Sequence, residues 1–140
     1  TLAKSLGSGV PAGACLVNDR VSEIIQLNDL GTTFGGGMIA MAAVLATLEA
    51  IESDSMMRNA KLIEHHLRDS LTGIPGVVAI HGKGCLLGIE FDSPCGQVHK
   101  KLLAEKIITG TSSNPNVLRL LPPLCVGVEE VNMMVEVLSN

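Results

Sequence analysis

Two helical patterns of opposite character stand side by side in the middle of the chain, and their junction limits most strongly what it can fold into. From Met38 to Glu52 apolar residues fall on nearly every side (Met38, Ile39, Met41, Val44, Leu45, Leu48, Ile51). That is the pattern of a helix buried on most of its surface. From Met56 to Leu71 the apolar residues keep to one stripe of Met56, Ala60, Ile63, Leu67 and Leu71, while Arg58, Asn59, Lys61, Glu64, His65 and Arg68 take the wet side. Ser53-Asp54-Ser55 lies between them as a break with capping residues. A helix that needs cover all round and one that needs it on a single side belong to different environments. The pattern predicts a domain boundary near Ser53, with residues 1–52 and 53–140 in different domains.

The second half reads as an α+β layer, with helices on one face of a small sheet. Val77 to His81 and Cys85 to Phe91 form strands joined at Gly82-Lys83-Gly84, with an antiparallel hairpin expected. Ser93-Pro94-Cys95-Gly96 opens a helix to about Glu105. Ile107 to Thr111 and Val117 to Leu121 are strands around a turn, the second ended by Pro122-Pro123, which cannot donate to a ladder. Glu129 to Leu138 is the last helix, with Gly127 at its N-cap and two glutamates in its first turn to suit the dipole. In the first half, Thr1 to Lys4 reads as the end of a buried strand and Ala14 to Val17 as a second. Val21 to Leu27 reads as one or two helical turns, and Gly7–Gly13 and Gly31–Gly37 as glycine-rich loops.

Composition narrows the function classes. A net charge of −4 with no basic run argues against nucleic acid and anionic membrane. No apolar run approaches the roughly 20 residues of a spanning helix. The chain has no Trp or Tyr and two Phe, so aromatic stacking is scarce. Cys15, Cys85, Cys95 and Cys125 form no C-x-x-C pair and no zinc spacing, which suits reduced thiols in the cytoplasm, with Cys85 and Cys125 in the core. His65, His66, His81 and His99 suggest no metal geometry.

Three segments carry chemistry. In the first, Ala3-Lys4 runs straight into Ser5-Leu6-Gly7-Ser8-Gly9. An amine held at such a turn can form a Schiff base with an aldehyde, although a lone lysine is far more often a solvated charge. The glycines here superficially match G-x-G-x-x-A, but Pro11 stands where the helix should begin, so a dinucleotide fingerprint is rejected. In the second, Gly31-Thr32-Thr33-Phe34-Gly35-Gly36-Gly37 precedes a helix, and a hydroxyl with glycine N–H groups there makes a usable phosphate cradle or simply a glycine-rich helix entrance. In the third, Arg119 lies among Val117, Leu118, Leu120 and Leu121. An arginine buried in such a strand needs a partner, either a carboxylate ligand held bidentately or an internal salt bridge.

In order and spacing these segments resemble the C-terminal part of the class III pyridoxal-phosphate aminotransferases, of the ornithine/acetylornithine type, from Thr1 to about Leu138. The resemblance implies the tail of an α/β PLP-transferase (fold type I) large domain over residues 1–52 and the α+β C-terminal small domain over 53–140. It implies pyridoxal 5'-phosphate as cofactor, with Lys4 the catalytic Schiff-base lysine. Thr33 is then the threonine that binds the phosphate from the neighbouring subunit of a homodimer, and Arg119 binds a substrate carboxylate. Thr32 is the weaker match for the phosphate role. Leu30 stands where the family usually has His, and Gly37-Met38 where it often has Asn-Pro. The implied reaction moves an amino group between N-acetylornithine, or a similar ω-amino substrate, and 2-oxoglutarate. Gly110-Thr111 with Asn116-Val117-Leu118-Arg119-Leu120-Leu121-Pro122-Pro123 leans to the acetylornithine type. The groups that hold the cofactor ring are expected upstream of Thr1, so these residues alone are expected to be inactive. Two rivals stay open: an ornithine or 4-aminobutyrate aminotransferase, and a non-catalytic α+β binding or assembly module.

Overall fold

The computed structural model describes residues 1–140, which divide into two compact units, Thr1–Asp54 and Ser55–Asn140. The second unit holds the core. Helix α3 (Met56–Leu71) turns its predicted stripe inward, burying Ala60, Ile63, Leu67 and Leu71. Strands β1 (Val77–Lys83), β2 (Leu86–Phe91), β3 (Gly110–Thr111) and β4 (Val117–Leu120) form one antiparallel sheet in the order β1-β2-β4-β3. Period-2 alternation puts Leu87, Ile89 and Phe91 of β2 and Leu118 and Leu120 of β4 on a single buried face. Leu102 of α4 (Gly96–Ala104) and Val131 and Met134 of α5 (Val128–Ser139) close over the same core, so the other sheet face is open.

The β1–β2 turn is tighter than the sequence suggests. Lys83 pairs with Leu86, so Gly84 and Cys85 make the turn, with Gly84 at φ +59 as a two-residue hairpin requires. At Gly82, φ is +95 and a Cβ would lie 2.1 Å from the Leu86 carbonyl oxygen, which only glycine avoids. A clamp from α3 holds the outer edge of β1. Arg68 donates to the carbonyls of Ile80 (2.8 Å) and Gly82 (2.8 Å), and Glu64 pairs with Arg68 while accepting the Gly84 N–H at 2.6 Å. Those edge carbonyls have no strand partner, and the guanidinium satisfies them. Asn59 likewise donates to Leu124 (2.7 Å) and Val126 (2.9 Å), tying α3 to the segment before α5. At Gly127 the backbone N–H donates to Glu130 at 3.0 Å, half of a capping box, since glycine has no side chain to reciprocate.

The first unit departs from the sequence expectation. Thr1 to Lys4 is not a buried strand: Leu2 and Ala14 share an isolated bridge, Leu2 is 51% exposed, and Lys4–Gly7 is a 3-10 turn. One bridge cannot make a sheet without neighbours to extend it. Helix α1 shrinks to Asp19–Ser22, capped by Asn18. Helix α2 (Met38–Ser53) has the expected bounds, but no residue of it is fully buried. Ala43, Val44, Thr47 and Ala50 are partly covered, while Met38, Ile39, Met41, Leu45 and Leu48 are exposed. Nothing within this unit is large enough to cover the bulky residues. Ser55, expected to cap α3, has φ +53 and makes no capping hydrogen bond. Of the cysteines only Cys95 is buried; Cys85 is half-buried in the hairpin turn, and Cys15 and Cys125 are exposed. No helix is long and apolar enough to cross a membrane.

Candidate active site

Lys4 begins the 3-10 turn with φ +57, in the left-handed region, and its side chain is exposed with no ion pair or hydrogen bond. That conformation costs a non-glycine residue about 1–2 kcal/mol, so its surroundings must impose it. They do so at Gly7 and Ser8. Gly7 is the buried residue of the turn, and a Cβ on it would lie 3.2 Å from Ala12 Cβ and 4.0 Å from Ala43 Cβ of α2. Ser8, at φ +46, lies 3.1 Å from the Thr47 hydroxyl. Thr47 gives its one proton to the Ala43 carbonyl at 2.7 Å, so the Ser8 hydroxyl is the donor to Thr47. The small-residue side of α2 thus grips the turn that presents the amine.

Thr33 is exposed in the loop before α2, and its side chain makes no hydrogen bond within the chain. The loop is held by Gly35 N–H to Thr32 O (3.1 Å) and Gly37 N–H to Phe34 O (3.3 Å). Gly37 is the N-cap of α2 and supplies no side-chain acceptor, so the first N–H groups of a 16-residue helix lack a cap. An available amine at Lys4 fits the aldehyde of pyridoxal phosphate. An uncapped helix start with a free hydroxyl in the preceding loop fits its phosphate.

Arg119 corrects a premise. It is not buried in its strand: it lies on the open sheet face and is exposed. It forms no salt bridge. In register it stands between Gly88 of β2 and Gly110 of β3, and its guanidinium leans over Gly110, with Nε 3.0 Å and Nη2 3.2 Å from where a Cβ would be. Absent side chains on both sides leave the guanidinium fork accessible. Gly82, Gly88, Ser112 and Val117 line a hollow of about 190 Å3 with it and with His81.

Sequence reasoning passed over His81 and Glu90 on that same face, where His81 Nε2 lies 2.5 Å from Glu90 Oε2. Strand alternation alone places both beside Arg119 once β1, β2 and β4 are aligned.

The family model for class III aminotransferases matches residues 1–140. An acetylornithine aminotransferase of Bordetella bronchiseptica is 39% identical over 142 residues, covering 99% of this chain and 36% of that protein. That of Bacillus subtilis is 39% identical over 134 residues, with 94% and 34% covered. The crystal structure of acetylornithine aminotransferase from Elizabethkingia anophelis superposes with a TM-score of 0.86 at 22% identity, over 98% of this chain and 38% of that one. Ornithine aminotransferase from Plasmodium yoelii gives 0.82 at 27% identity, over 99% and 39%. The chain therefore spans between a third and two-fifths of the length of these relatives. The structural relatives are pyridoxal-phosphate-dependent aminotransferases of fold type I, and the α+β unit with its four-stranded antiparallel sheet is a piece of that architecture. The chain belongs to the class III aminotransferase family.

Proposed function

We propose that this chain forms part of a pyridoxal-phosphate-dependent aminotransferase that moves an amino group between N-acetylornithine, or a close ω-amino substrate, and 2-oxoglutarate. The single observation that carries this reading is Lys4, an unpartnered exposed amine in a strained conformation held by Gly7, Ser8 and α2. Residues 1–52 belong to the tail of the cofactor-binding large domain and 53–140 to the small domain. The protein works as a homodimer in the cytoplasm.

When bound, pyridoxal phosphate supplies the electron sink for the transfer. The chain's own residues do the rest. Lys4 Nζ holds the cofactor through its aldehyde carbon, and after displacement by the substrate amine takes up and returns the proton at the reacting carbon. Thr33 donates its hydroxyl to the phosphate of the partner's cofactor, beside the uncapped N–H groups of α2. Arg119 takes a substrate carboxylate in its fork, fixing the reacting end relative to Lys4 Nζ.

Borohydride reduction of the parent protein with bound cofactor, then peptide mapping, is expected to place the pyridoxyl group on Lys4; labelling of another lysine refutes the assignment. A mixed dimer carrying Thr33→Ala in one subunit and Lys4→Ala in the other tests the cross-subunit role. With Thr33 serving the partner, both lesions fall in one site and the other stays active. Two impaired sites would show that Thr33 serves its own subunit.

A further inference from the structure

The open face of the small sheet carries two opposite charges that are neighbours and do not pair. Glu90 stands opposite Val117, and Gly88 opposite Arg119, so Glu90 and Arg119 are diagonal partners across β2 and β4. Diagonal partners lie about 7–8 Å apart, within reach of long side chains, and opposite charges so placed ordinarily attract. Here each is drawn away. The Glu90 carboxylate is held through Oε2 by His81 from β1, and the Arg119 guanidinium leans over Gly110 on the far side. Between them lies Gly88, half-buried and without a side chain, which leaves the lane open. His81, Gly88, Val117 and Arg119 line the hollow in this lane, and Glu90 supports its His81 wall.

A ligand in this lane meets a cation at one end and, at the other, a carboxylate with one oxygen uncommitted. A simple carboxylate satisfies Arg119 but faces the charge of Glu90, and a simple amine does the reverse. A zwitterion satisfies both at once. We propose that the Arg119–Gly88–Glu90 lane binds the head group of an α-amino acid, its carboxylate on Arg119 and its ammonium on the Glu90–His81 pair. This rests on the carboxylate role proposed for Arg119 and adds the other half of the recognition. Glu90 and His81 are then specificity residues, since they reward a free ammonium next to the carboxylate and give nothing to a ligand that lacks one.

The test uses the isotopically labelled full chain and two probes of equal length, L-norvaline and valerate, which differ in the ammonium. Titrations follow the amide signals of Gly88 and Gly110. Norvaline is expected to bind at least about tenfold more tightly than valerate, the scale of one added charge-assisted hydrogen bond. Glu90→Gln should erase that difference and leave valerate unaffected, while Arg119→Gln should abolish binding of both. Unchanged Ile89 and Leu118 signals certify the fold of each variant. Equal affinities in the natural chain overturn the head-group proposal and leave the carboxylate role of Arg119 standing. A preference that survives Glu90→Gln overturns it too. If neither probe moves Gly88 or Gly110, the head-group proposal and the carboxylate role fall together.

Discussion

The two units spend similar apolar sequence in opposite ways. In Ser55–Asn140 the stripe of α3, the inward residues of β2 and β4, and single positions on α4 and α5 meet in one core, with Ile63, Ile89, Leu102 and Leu118 at 0% exposure. In Thr1–Asp54 no large side chain is buried: Leu27 is 91% exposed, Met38 89% and Phe34 89%. What is partly covered there is small, namely Ala43, Thr47 and Ala50 on the side of α2 that includes the contact with Gly7. Apolarity reports a demand for burial. Meeting that demand needs a second element with a complementary face, which the second unit has and the first lacks. The first unit spends its tightest packing on one strained turn, and that turn carries the candidate catalytic lysine.

The largest test of this contrast is local stability. Amides of β2 and α3 are expected to exchange only through openings that cost several kcal/mol, whereas those of α2 and its preceding loop exchange near the unprotected limit. Limited proteolysis should correspondingly cut before Asp54 first. Equal protection in the two units would break the comparison.

Single substitutions sharpen it. Leu67→Ala empties a position at 1% exposure and is expected to cost about 2–5 kcal/mol by urea unfolding. Leu45→Ala, at 58% exposure on α2, should stay within about 0.5 kcal/mol. A smaller loss, about 1–2 kcal/mol, is expected for Asn59→Ala, which leaves the Leu124 and Val126 carbonyls without their donor.

The Glu64 clamp adds a pH signature confined to the second unit. The Gly84 N–H, then Arg68, hold the Glu64 carboxyl below its ordinary value of 4.5, against a weaker opposing pull from desolvation. A depressed carboxyl stabilises the fold fully above its unfolded value, and the contribution is lost as pH falls through the lower folded value. Glu64→Gln should therefore flatten the fall in stability below about pH 4.5, read as the urea midpoint against pH. The smallest effect is expected at Thr33→Ala, where an exposed loop hydroxyl without an internal partner changes stability by no more than about 0.5 kcal/mol.

Legibility followed the same division. The bounds of α2 and α3, the β1–β2 hairpin, the order of strands and helices and the Gly127 cap were readable, because each depends on periodicity or punctuation within a few residues. The strand expected at Thr1–Lys4 dissolved into a bridge and a turn, since a strand exists only through a neighbour that no local pattern reports. Arg119 was legible as a residue that demands an explanation, but its burial was misjudged. Its neighbours Leu118 and Leu120 are buried, and alternation sends the residue between them to the other face. His81 and Glu90 escaped notice because their meaning comes from the alignment of separate strands.

The sequence by itself determined the elements of this protein, the one-sided helix that could build a core, the lysine-glycine turn and the three motifs of the family. Those properties are local, set by side-chain periodicity and backbone permissiveness. Only the tertiary structure decided that α2 turns its small residues to the lysine turn and leaves its large ones uncovered. It likewise decided that Arg119, Gly88 and Glu90 meet on an open face. Which groups become neighbours across strands and helices depends on register and packing between distant segments, and these are fixed only when the whole chain competes for the same interior.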